Sequence, residues 1–346
     1  MPTENTIAES NGHAATSSLL AALYEPVAEE MQQVEATLRD ELRSEYDAVD
    51  EMLRHGTMLG GKRLRPALLL LSARLFGTPT SDHVTLAAVM EMIHTATLIH
   101  DDILDEADQR RHVATCNAIW DNQAAVLLGD YLFTHAFYLA STTGSTTACR
   151  IIGAATNSVC EGELRQVRSR GNFELSEDEY YQIIEAKTAV LCECSCRLGA
   201  QFAESDRADV RRLGDYGKHL GIAFQVTDDL LDVLGDSRAT GKSLGTDIEK
   251  QKMTLPLIRL LQTVEARERV EIVEILSGSR EATSGEGIDL RERLLPYLES
   301  SDALQYARDA AAHHAALAEQ QLVELPAGPA RDILAGLPAF VLARSA

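Results

Sequence analysis

From Leu19 onward, apolar residues recur at intervals of three and four with few interruptions, a pattern that excludes most architectures. Leu19, Leu20, Leu23 and Tyr24 open it, and segments such as DEYYQIIEAKTAVLCECSCRLGAQFA (178–203) continue it. One face of an amphipathic helix has this spacing, whereas a strand alternates every second residue. Alternating runs are scarce and there is no strand-helix-strand rhythm. Breaks fall at 56–66, 76–82, 141–147, 168–178, 235–247 and 277–289, each carrying Gly, Pro or small polar residues. No linker divides the chain into compositionally different halves. The pattern predicts an all-α fold, one domain over 19–346 with ten or more helices, preceded by a disordered polar leader over 1–18.

Two of the apolar segments contain aspartates that an ordinary buried helix would not tolerate. LIHDDILDEADQRR (98–111) holds Asp101, Asp102 and Asp105, and FQVTDDLLD (224–232) holds Asp228, Asp229 and Asp232. At about 100° per residue, the first and last aspartate of each DDxxD share a face. A buried carboxylate is costly unless paired or bound to a cation. Two such triads facing each other offer up to six oxygen donors, which suits Mg²⁺ shared with substrate phosphates. Only the aspartates and their apolar setting recur, so this is not a tandem duplication.

The chain carries 53 acidic against 32 basic residues, a net charge of −21 spread along its length. Such a balance argues against nucleic acid as a partner. An anionic substrate must then be met by local cations or metal. GGKRLRP offers Lys62, Arg63 and Arg65 on a glycine-rich turn, with Pro66 placed to start a helix. It is not a P-loop, since GxxxxGK[ST] is absent. Arg110 and Arg111 lie about one helical turn beyond Asp105, and Lys187, Lys242 and Lys252 stand beside EAKTA, TGKSLGTD and KMTLP.

Six cysteines make no disulfide framework. Cys192, Cys194 and Cys196 fan around a helix axis instead of converging on one ion, which predicts buried core thiols and suits a reducing cytoplasm. The leader has no basic residue and is neither a signal nor a transit peptide. The longest apolar stretch, VTLAAVMEMIHTATLIH, contains Glu91 and His94 and is too short and polar to span a bilayer.

In combination, GGKRLRP, EMIHTATLIHDDILDEADQRR, GDYLF, EAKTA and GIAFQVTDDLLDVLGD…GKSLGTDIEKQKMTLP resemble the trans-type isoprenyl diphosphate synthases, the polyprenyl synthetase family, from roughly Leu19 to the C-terminus. The resemblance implies the isoprenoid synthase fold, a helical bundle around a central cavity. It also implies a homodimer with three Mg²⁺ per active site that joins isopentenyl diphosphate to an allylic diphosphate. By the same resemblance, Asp101, Asp102, Asp105, Asp228, Asp229 and Asp232 hold the metal. Arg110, Lys187, Lys242 and Lys252 meet the allylic diphosphate; Lys62, Arg65, His94 and Arg111 form the isopentenyl diphosphate pocket; Thr188 and Gln225 lie near the reacting carbons. Two departures stand out: His112 replaces the Gly that usually follows the arginine pair, and the stretch before Lys252 varies in length across the family.

Ala96 and Thr97 occupy the positions where short-chain members carry a bulky aromatic. Both are small, so IHTATLIHDD looks most like the long-chain synthases, with a deeper floor, for instance at Met90, as the alternative. A farnesyl or geranylgeranyl synthase is the rival product class. A terpene cyclase would carry an Asn/Ser/Glu second motif, a di-iron bundle would need a second E-x-x-H besides Glu91–His94, and a non-catalytic subunit would show eroded aspartates.

Overall fold

The structure, a computed structural model, describes residues 24–60, 63–110, 113–235, 245–278 and 290–345. The expected leader, Lys62, Arg111, His112 and Lys242 lie outside the described residues. The helices are α1 (Ala28–Glu41), α2 (Asp47–Met58), α3 (Leu64–Arg74), α4 (Ser81–Leu104), α5 (Cys116–Ile119), α6 (Asn122–Thr142), α7 (Thr146–Ser169), α8 (Glu177–Ile184), α9 (Val190–Phe202) and α10 (Arg207–Leu234). They continue with α11 (Thr246–Glu249), α12 (Leu255–Thr263), α13 (Ala266–Leu276), α14 (Leu290–Ser300), α15 (Ala303–Gln321) and α16 (Pro329–Leu342). The all-α expectation holds. Among the described residues the only sheet is a two-residue antiparallel ribbon, β1 (Gln109–Arg110) with β2 (Val113–Ala114).

The punctuation in the sequence acts as helix capping. Ser145 accepts from the Ala148 amide and Asp206 from those of Ala208 and Asp209; Ser176 and Glu179 form a reciprocal capping box. Each cap satisfies amide donors that the first turn leaves orphaned. Core position decides the rest. Leu68, Leu69, Leu70 and Leu71 of α3 are all fully buried, so the middle of this helix is packed on every side. Each such side chain contributes about 1.5–3 kcal/mol when buried. Helices α4 and α10 run through the middle, α4 against α6 and α10 between α9 and α15. Buried residues form two clusters, and α10 supplies both, with Leu220 in one and Ile222 and Val226 in the other.

The segment over 178–203 departs from a regular α-helix. Its middle, Glu185–Ala189, is a widened π turn joining α8 to α9. Such turns are uncommon and cluster at functional sites. Here the turn is seated between two glycines that permit close backbone approach. A Cβ at Gly162 on α7 would lie 2.7 Å from the Lys187 nitrogen, and one at Gly221 on α10 would lie 2.6 Å from the Ala189 Cα. The three thiols that follow are buried and unpaired as expected, and burial pushes all three pKa values up. No helix among the described residues is long and apolar enough to cross a membrane.

Candidate active site

Helix α4 stops at Leu104 with Asp105 as its C-cap, so the first triad occupies the last turn, and no basic residue of the helix lies there. The carbonyl end of a helix carries about half a negative charge, which adds to three carboxylates. Cations arrive from other elements. Lys187 Nζ lies 3.5 Å from Asp101 Oδ2. Arg110 donates to Asp102 Oδ1 through Nε at 2.9 Å, with Nη2 at 2.7 Å. Asp105 faces Lys252 at 3.0 Å, Arg170 at 3.1 Å and Lys250 at 3.7 Å. Burial pulls the Asp105 carboxyl upward, but Lys252 and Lys250 outweigh it and the pKa is lowered. At Asp102 burial prevails over Arg110 and the pKa is raised.

Arg110 lies past the end of the helix, on the short ribbon, and points back to the first triad. Glu106 adopts a left-handed backbone (φ 47°), and the chain turns back into the ribbon, returning the guanidinium to Asp102.

The second triad also ends its helix, again with no cation in the last turn, but its members differ. Asp228 pairs with Arg344 at 2.9 Å, and that guanidinium lies 4.6 Å from the centre of the Phe224 ring. Asp229 is buried, accepting from Tyr180 Oη at 2.6 Å and Gln225 Nε2 at 2.8 Å. Asp232 accepts from the Thr246 amide and hydroxyl at 3.3 and 3.1 Å and from the Asp247 amide at 3.1 Å, so it anchors the start of α11. Burial, then the Asp247 charge, push Asp229 well above the carboxylate range and Asp232 to about 6.

The π turn joins the two triads. Lys187 donates to Glu163 and Gln166 on α7, both at 2.9 Å, besides facing Asp101. Thr188 Oγ1 donates to Gln225 Oε1 at 2.8 Å. Burial, then the Asp101 charge, hold Glu163 at about 7. Lys187, Thr188, Gln225, Asp229, Asp247 and Lys252 line a single cavity. Its two lysines pair with Asp101 and Asp105 of the first triad, while Asp229 of the second forms part of the lining itself.

The remaining expected residues lie apart from that lining. Arg65 is half-buried in the first turn of α3, its Nε enclosed without a hydrogen-bond partner. His94 is half-buried on α4 and its carbonyl accepts from Thr97 Oγ1 at 2.7 Å. Ala96 is fully buried, and so is Met90, whose sulfur lies 3.8 Å from Cys194 Sγ. Arg63 turns inward, 2.8 Å from buried Glu91 and 2.6 Å from Glu35, so it serves the fold.

Sequence reading missed Glu163, Gln166, Tyr180, Asp247, Lys250, Arg170 and Arg344. Glu163 and Gln166 carry a signal in hindsight, since polar residues three apart share a helical face. Asp247 and Lys250 sit inside a motif already singled out. Arg170 and Arg344 have none, because only the folded chain brings them near the aspartates.

An all-oxygen donor set suits a hard divalent cation. One oxygen, Asp102 Oδ2, is buried without a hydrogen-bond partner, and the raised carboxyls of the second triad mark negative charge short of compensation. The residues therefore fit Mg²⁺. Among the described residues no three His, Cys, Asp or Glu side chains form a ready cage.

Residues 46–290 match the polyprenyl synthetase family. The chain is 35% identical over 327 residues to the octaprenyl diphosphate synthase of Escherichia coli, covering 94% of this chain and 99% of that one. It is 34% identical to a short chain isoprenyl diphosphate synthase of Methanothermobacter thermautotrophicus, covering 84% and 88%. The crystal structure of a Caulobacter crescentus polyprenyl synthase, complexed with calcium and isoprenyl diphosphate, superposes with a TM-score of 0.88 at 36% identity, covering 94% and 98%. The chain belongs to the polyprenyl synthetase family. It has the isoprenoid synthase fold and is an enzyme of that family, a trans-prenyltransferase.

Proposed function

We propose that this enzyme joins isopentenyl diphosphate to an allylic diphosphate and repeats the step to a long all-trans product, heptaprenyl to decaprenyl. The observation that carries the reaction is the shared cavity, where Lys187 and Lys252 face Asp101 and Asp105 while Asp229 forms part of the same wall. The two aspartate triads bind Mg²⁺, which supplies charge stabilisation for the departing diphosphate. Lys187, Arg110 and Lys252 are held by carboxylates in the free enzyme and transfer part of their hydrogen bonding to the allylic diphosphate. Lys242, outside the described residues, belongs to the same assignment. Arg65 and His94 receive isopentenyl diphosphate, together with Lys62 and Arg111, which also lie outside the described residues.

The bond accounting follows from charge. The allylic C–O bond breaks and its electron pair leaves with the diphosphate. The double bond of isopentenyl diphosphate forms the new C–C bond, leaving a cation; an adjacent C–H bond then breaks, its electron pair forms the product double bond, and the proton passes to the departed diphosphate. Thr188 and Gln225 flank the cationic carbon. The small pair Ala96 and Thr97 supports the long product, as does the octaprenyl relative. Exposed Leu127 and Tyr138 on α6 and Leu164 on α7 support a homodimer, which we place in the cytoplasm.

Incubation with Mg²⁺, labelled isopentenyl diphosphate and a series of allylic primers tests the reading. Asp101→Ala and Asp228→Ala should each lower turnover by roughly 10³-fold or more, the order lost with one main electrostatic group, while circular dichroism stays unchanged. Near-normal turnover in either variant, or in excess chelator, refutes it.

A further inference from the structure

Tyr180 lies outside every sequence motif, on α8, yet it is buried at 3% exposure with its hydroxyl 2.6 Å from Asp229 Oδ2. The other oxygen of Asp229 takes the Gln225 amide at 2.8 Å, and Gln225 Oε1 takes the Thr188 hydroxyl at 2.8 Å. These contacts form one chain with a fixed direction. With a donor aimed at each oxygen, Asp229 in its carboxylate form accepts on both sides, from Tyr180 at Oδ2 and from Gln225 at Oδ1. Gln225 must then turn its NH₂ toward Asp229 and its carbonyl toward Thr188. A threonine hydroxyl has a single proton, and here Gln225 receives it. What Thr188 directs into the cavity it lines is therefore lone-pair density alone.

We propose that Tyr180 is a positioning residue for prenyl transfer: by fixing Asp229 it sets the direction of the Gln225–Thr188 relay, so that Thr188 presents the negative end of a fixed dipole to the allylic cation. This inference rests on the prenyl-transfer reading. A dipole already oriented at the developing charge needs no reorganisation during the step. Without the Tyr180 hydroxyl, Oδ2 of Asp229 loses its donor and is free to draw the Gln225 amide, so Gln225 can invert and Thr188 can turn its proton toward the cation.

Tyr180→Phe removes only the hydroxyl. It should lower kcat by roughly 10- to 100-fold, somewhat less than loss of a direct stabilising group. KM for both substrates and Mg²⁺-dependent binding of inorganic pyrophosphate, read by calorimetry, should stay within about threefold, a shift below 1 kcal/mol. A purely structural residue would give losses that add to those of others. Here the effects must fail to add: in a Thr188→Val background, and equally in Gln225→Met, Tyr180→Phe should cost less than about threefold more. Equal kcat losses in all backgrounds, an unchanged kcat, or loss of pyrophosphate binding overturns the proposal. A wild type that binds pyrophosphate with Mg²⁺ yet joins no isoprene units overturns the functional reading and this inference with it. An active wild type with additive variants overturns the inference alone.

Discussion

Gly162→Ala tests whether the contact between α7 and the π turn positions Lys187. The added Cβ would lie 2.7 Å from the Lys187 nitrogen, 3.0 Å from Ala186 Cβ and 3.1 Å from the Ala186 carbonyl carbon, where ordinary contact starts at 3.4 Å. The nearest atom belongs to backbone, so two packed segments must separate by about 0.7 Å, an overpacking that typically costs ~1–3 kcal/mol. Replacing glycine inside a helix returns about 0.5–1 kcal/mol. Net destabilisation of about 0.5–2 kcal/mol should lower Tm by a few degrees. The larger effect falls on activity, because Lys187 Nζ sits among Asp101, Glu163 and Gln166 at 2.8–3.5 Å. Misplacement by this fraction of an ångström should reduce kcat/KM by roughly 10- to 100-fold. Gly153→Ala is the internal control on the same helix, where the nearest neighbour is Phe137 Cε1 at 4.0 Å. It should leave activity within about twofold and hold or slightly raise Tm, as helix propensity alone dictates. Thermal scans and steady-state kinetics on both variants decide the matter. If the two alanines behave alike, the close approach does not set the position of Lys187.

Three further outcomes follow from particular contacts. Burial, then Asp101, raise Glu163 from 4.5 to about 7; a carboxyl raised in the fold stabilises below its unfolded value and loses that contribution as pH climbs through the folded one. Metal-free wild type should therefore lose about 1–3 kcal/mol from this group between about pH 4.5 and 7, a slope that Glu163→Gln removes; parallel urea midpoints for the two proteins across this window contradict it. Arg63→Ala strands Glu91, which is 1% exposed, and should cost about 3–5 kcal/mol by urea denaturation, as breaking a buried pair does; a loss under 1 kcal/mol refutes the structural role. Thr97→Phe places a ring one turn before Asp101, about 6 Å along the helix, and should shorten the product without stopping condensation; chromatography showing an unchanged chain length moves the floor elsewhere.

Much of the fold is visible in one-dimensional periodicity, because an amphipathic stripe and its caps are local properties. The break at 141–147 holds the Ser145 cap, and the break at 168–178 holds Ser176, whose capping box closes with Glu179 just beyond it. Two features escaped for the same reason, that tertiary contact decides them. The π turn at Glu185–Ala189 sits in a run with continuous helical spacing, and its setting depends on glycines 25 residues before Lys187 and 32 after Ala189 in sequence, Gly162 and Gly221. The reversal after Asp105 depends on Glu106 in a left-handed conformation, which nothing local to a glutamate announces.

The aspartates of the site were legible as an anomaly of burial; their division of labour was not. Asp228 faces a cation, Asp229 a phenol and an amide, and Asp232 the first amides of α11, although all three read alike in DDLLD. The folded chain adds a reason for the repeated motif that spacing alone does not reveal. Each triad closes a long helix, α4 of 24 residues and α10 of 28, and neither helix places a basic residue in its last turn. The carbonyl ends of two macrodipoles thus add to the negative charge of the carboxylates they carry. Helix ends of this sign are ordinarily offset by local Lys or Arg. Here Lys187, Lys252, Arg110 and Arg344 arrive from four other segments, and Asp102, Asp229 and Asp232 still keep raised pKa values. Protein cations alone leave the site short of positive charge, which is the condition under which a divalent ion and a diphosphate bind together more favourably than the diphosphate alone.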